Sequence, residues 1–89
     1  MEIRYTITTL TNNSKLISLH CKTPQSYEKL KAALGPIKFA PGYGGYIDST
    51  LTYELVALPF YSKAETRQIF LDLCAQHLPQ FTVNPKRED

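Results

Sequence analysis

The imidazoles and thiols of this 89-residue chain are His20, Cys21, Cys74 and His77, the groups that ligate zinc or pair as nucleophile and base. Zinc would require them to converge tetrahedrally at roughly 2.0–2.3 Å. His20 and Cys21 are adjacent, and neighbours in an extended strand point to opposite faces, so one ion cannot take both. Cys74 and His77 stand three apart on a helical pattern and can converge. Two ligands do not close a structural site, however, and no CxxC-type spacing accompanies them. As thiol and base the same pair is badly placed. It falls in the last turns of its helix, where the partial negative charge opposes a thiolate, and Cys74 shares the apolar stripe of Ile69, Phe70 and Leu73.

Carboxylate chemistry needs two acids brought together. Asp48 and Glu54, if joined by a regular strand, face one side about 20 Å apart. The glycine run Pro41-Gly42-Tyr43-Gly44-Gly45 has neither the GxxxxGK[ST] nor the GxGxxG spacing of a phosphate cradle, and it leads into a strand. We therefore expect no catalytic residue, no metal and no cofactor.

The elements that position these residues are readable from periodicity. Ile3, Tyr5 and Ile7 alternate with polar residues, as do Ile17, Leu19 and Cys21, and Thr11-Asn12-Asn13-Ser14 between them is turn chemistry: a hairpin. Thr23-Pro24 opens a helix as N-cap and first residue. Tyr27, Leu30 and Leu34 form its stripe, and Gly35-Pro36 ends it with a left-handed glycine cap. Ile37-Lys38-Phe39 is a short strand, the glycine run a loop, and residues 51 to 57 the longest strand, ended by Pro59. Ser62 with Glu65 is a capping box opening a second helix, whose stripe Ile69, Phe70, Leu73, Cys74 and His77 stops at Pro79. Phe81 and Val83 mark a last strand.

The order ββαββαβ predicts an α+β fold, a single small domain over residues 1–84 with a mainly antiparallel sheet, two helices packed on one face, and a polar tail at 85–89. Its last four strands and both helices match a ferredoxin-like βαββαβ unit. The first strand of that unit is already flanked on both sides, so the extra hairpin strand has no free edge to join. The strand order stays open.

Composition is that of an ordinary globular domain, 43% hydrophobic and 20% charged, with net charge +2. No apolar run reaches membrane-spanning length, and Met1-Glu2-Ile3-Arg4-Tyr5 alternates rather than forming a signal peptide. The expected location is cytoplasmic, with reduced cysteines. Charge is uneven: Lys15, Lys22, Lys29, Lys31 and Lys38 face only Glu28 between residues 15 and 38.

Strand parity separates two binding modes. Tyr5, Phe39, Tyr53 and Phe81 share parity with the aliphatics and belong to the core. The other face is left with Arg4, Thr6, Thr8, Ser18, His20, Lys22, Thr50, Thr52, Glu54 and Thr82, and so without rings on which bases could stack. A protein partner is the leading expectation. Tyr43 and Tyr46 serve as loop anchors, Val56 and Leu58 break the polar parity beside Pro59-Phe60-Tyr61, and Lys29 and Lys31 steer approach. The chain then acts as an inhibitor, adaptor or small subunit occupying a surface of a larger macromolecule. The alternative is low-specificity RNA or single-stranded DNA binding through Lys22, Lys29, Lys31 and Lys38. A homodimer through a free sheet edge comes third.

Overall fold

The computed structural model describes residues 2–35 and 42–86. Two strands, β1 (Glu2–Thr9) and β2 (Lys15–Cys21), form the expected hairpin, with Ile7 opposite Ile17. Its turn is closed by the Asn12 side chain accepting from the Ser14 N–H at 3.0 Å, and Asn13 takes the left-handed φ of 68° that asparagine tolerates. Helix α1 (Pro24–Leu34) starts where Thr23 Oγ1 accepts from the Ser26 N–H. Its end differs from expectation. Gly35 is the cap but remains right-handed at φ −51°, its N–H bonded to the Lys31 carbonyl, because a residue without Cβ can continue the helical backbone into a proline.

The segment expected to be a glycine loop is a strand, β3 (Gly42–Ile47), while the short strand expected at 37 to 39 lies outside the described residues. A single 3-10 turn, Asp48–Thr50, and Leu51 at φ 52° lead into β4 (Thr52–Ala57), so no regular strand joins Asp48 to Glu54. Glycine is a poor strand former alone; here the neighbouring strand supplies the reason for it. Gly44 pairs with Leu55, and a Cβ built on it would lie 2.5 Å from the Tyr53 hydroxyl oxygen and 2.8 Å from a Leu55 methyl. The Tyr53 ring lies over the glycine, offsetting its missing side chain. Helix α2 (Lys63–His77) begins with the expected reciprocal capping box of Ser62 and Glu65. Strand β5 (Thr82–Pro85) closes the order, and the Lys86 N–H still reaches the Tyr5 carbonyl at 2.8 Å, so pairing enters the segment expected to be a tail.

The sheet order is β3-β4-β2-β1-β5, antiparallel except for the β1–β5 pair. This answers the strand-order question. Central β2 keeps β1 and β4 as neighbours, and β5 pairs outside β1 rather than beside β2. Both helical stripes join the same parity of the strands in one core: Ile3, Tyr5, Ile17, Leu19, Tyr53 and Leu55 with Tyr27, Leu30, Leu34, Phe70 and Cys74. Tyr5 and Phe70 meet at 5.0 Å between ring centroids. Burying each such side chain is worth about 1.5–3 kcal/mol.

Gly44→Ala should lower stability by about 1–3 kcal/mol through overpacking against Tyr53. Gly45→Ala, where a Cβ meets nothing within 4 Å, should be neutral or stabilising. Urea unfolding of the two variants distinguishes them.

Candidate functional site

The sheet face opposite the helices is polar and largely satisfied. Glu2 accepts from Lys22 at 3.2 Å, Asn84 at 3.2 Å and Arg4 at 3.4 Å, and the bonds from Lys22 and Asn84 hold its carboxyl below the usual carboxylate range. His20 sits in register between Arg4 and Thr52, its Nδ1 3.4 Å from the Thr52 hydroxyl. Burial lowers its pKa, and the charge of Lys86 lowers it further. Tyr5 and Tyr53 are 7% exposed and lie on the helix side, so the described part of this face carries no stacking ring from them.

One end of the face is different. Leu16 pairs with Val56, both half-buried, and the chain leaving β4 carries Leu58, 40% exposed, and Phe60, 73% exposed. Phe60 packs on Tyr61 with ring centroids 4.7 Å apart. The turn bearing them is tied down. The Tyr61 N–H donates to the Leu58 carbonyl at 3.2 Å, and the Pro59 carbonyl accepts from Asn13 Nδ2 at 3.2 Å and from Lys15 Nζ at 3.3 Å. Lys15 is only 4% exposed and also donates to the Asn13 carbonyl at 2.8 Å, so one ammonium joins the hairpin turn to the turn after β4. A large apolar ring is thus presented to solvent on a fixed support.

The expected site residues divide. Val56 and Leu58 belong to this corner. Tyr43 and Tyr46 are strand positions rather than loop positions, paired with Val56 and Tyr53. Three residues apart in a strand, the two positions belong to opposite sheet faces and do not form one surface. Their side chains lie outside the described residues. Lys29 is exposed on α1. Lys31 lies 3.6 Å from Glu28 and 5.1 Å from the Tyr27 ring centroid, and Lys22 bonds Glu2. Lys38 lies outside the described residues.

Phe60, Asn13 and Lys15 were not singled out as contact or support residues. Phe60 was signalled by the apolar run at 56–61, whereas nothing local marks Lys15, whose partner Pro59 is 44 residues away. Among the described residues no group of three or more His, Cys, Asp or Glu side chains could hold a metal ion. Both cysteines are free and buried, and burial pushes the Cys74 thiol up to about 12. No described helix is long and apolar enough to cross a membrane. Comparison with protein-family models, with curated proteins and with solved structures returns no match.

Lys15→Ala should destabilise the fold by about 1–3 kcal/mol, because two carbonyls lose a charged donor; chemical denaturation measures this. Cys74 should resist thiol-specific labelling at pH 8 until the protein unfolds. Its raised pKa favours the folded state fully below the ordinary thiol value near 9.0. That contribution is lost as pH climbs from there toward 12, visible as a falling melting temperature.

Proposed function

We propose that this protein is a non-catalytic binding protein that occupies a surface of a larger protein, as an inhibitor, adaptor or small subunit. The observation that carries this reading is the exposure of Phe60 and Leu58 on a turn pinned by Asn13 and Lys15. Large apolar side chains in water are costly, and a rigid aromatic loses little conformational freedom when a partner covers it. Val56 and Leu16 extend the apolar area onto the sheet, and exposed Lys29 adds positive charge elsewhere on the surface. The nucleic-acid alternative is weakened by the carboxylates that engage Lys22 and Lys31.

The test is affinity capture from nuclease-treated extract of the native cell, using wild type beside Phe60→Ala and Lys29→Glu/Lys31→Glu. A specific protein should be recovered by wild type and lost, by about tenfold or more, on Phe60→Ala, the scale of a central aromatic anchor. The melting temperature should stay unchanged. Equal recovery by Phe60→Ala, or recovery that depends only on the lysines and on intact nucleic acid, overturns the reading.

A further inference from the structure

Three cationic residues border one pocket at the end of the β1–β5 seam. Lys63 and Arg67 of α2, with Lys86 just beyond β5, line an open pocket of about 210 Å³ whose other walls are Tyr5, Thr6, Ile7 and Pro85. All three cationic residues are exposed, and among the described residues no carboxylate lines the pocket. None of the three takes part in an ion pair among the described residues.

Local rules argue against this arrangement. Lys63 occupies the first position of α2, where the helix dipole disfavours positive charge, and Arg67 follows one turn later on the same side. The acid of that first turn, Glu65, is turned to the Ser62 N–H, which it accepts at 3.1 Å. Residues that break local preference without a structural partner are expected at functional sites.

The backbone adds a donor. Because the Lys86 N–H bonds the Tyr5 carbonyl, Tyr5 turns its peptide groups toward β5, and Ile7, two residues on, turns its own the same way. Pairing with β5 ends at Tyr5–Pro85, and beyond it no described residue pairs with β1 on that side. The Ile7 N–H therefore faces the pocket beside the cations.

We propose that Lys63, Arg67, Lys86 and the Ile7 N–H bind the phosphates of a small diphosphate-bearing ligand. The Arg67 guanidinium supplies a planar fork for two phosphate oxygens, and the lysines supply point charges. A single carboxylate would leave most of this charge unbalanced. An extended nucleic-acid strand would need a basic track and stacking rings. Instead Lys63, Arg67 and Lys86 border one pocket, and Tyr5 and Tyr53 are turned to the core.

The test is an amide NMR titration at low salt with pyrophosphate and, separately, adenosine diphosphate. Saturable shifts are expected at the Ile7 amide and the Arg67 side chain. Lys63→Gln/Arg67→Gln should weaken apparent affinity about tenfold or more, since it removes two charged donors. Lys86→Gln serves as a second, independent variant. Lys29→Gln and Phe60→Ala should leave the titration unchanged, which separates this site from the protein-binding corner. Tighter binding of adenosine diphosphate assigns the diphosphate to a nucleotide, and equal binding assigns it to the free anion. Absence of saturable shifts with both probes, shifts that persist in the folded double variant, or binding of single-stranded oligonucleotide without pyrophosphate binding overturns the proposal.

Discussion

The pleat of β2, paired with β1 on one side and β4 on the other, is the constraint on which the rest of the molecule depends. Ile17 and Leu19 are fully buried toward the helices, while Ser18 and His20 face the other way. A one-residue slip in either seam would exchange these sets, burying an imidazole and exposing two aliphatic side chains. The register therefore places Tyr5 and Tyr53, through their pairing with Leu19, beneath the helices. It also leaves much of the described opposite face to polar side chains that bond one another, with Leu16 and Val56 at one end.

The inserted strand β1 has consequences at both ends of the sheet. It moves β5 out by one strand position, and the β1–β5 pairing ends at Tyr5–Pro85, so the rest of β1 is unpaired on that side among the described residues. The basic pocket lies where that pairing stops. At the other end, the β1–β2 turn comes beside the turn following β4, and Lys15 reaches across to bond both. Burying a lysine is tolerable here because its stem packs at the core edge while its ammonium meets two carbonyl oxygens. The same contact holds the Phe60 turn still.

These two surfaces differ in how they could have been found. The apolar corner was half legible. Val56 and Leu58 interrupt an alternating strand, and that interruption is a property of consecutive residues. The basic pocket was not legible, because Lys63, Arg67 and Lys86 are separated by up to 23 positions and border one pocket only after β5 returns to β1. Of the lysines counted together along residues 15 to 38, Lys15 is turned into the core edge, and Lys22 and Lys31 lie against acids.

What the amino-acid sequence determined by itself was local. It specified the hairpin turn at Asn12–Asn13, the caps at Thr23 and Ser62, the helical stripes, and the strand parity that sends the core tyrosines inward, since each depends on residues within one or two turns of one another. Tertiary structure decided three things. It made Gly42–Ile47 a strand, because the segment pairs with β4, whose Tyr53 ring and Leu55 occupy the space a side chain would need at Gly44. It set β5 beside β1, because both edges of β2 were already taken. It chose which charges stand together, because charge proximity is fixed by strand order and helix placement, and neither is encoded within a short window of sequence.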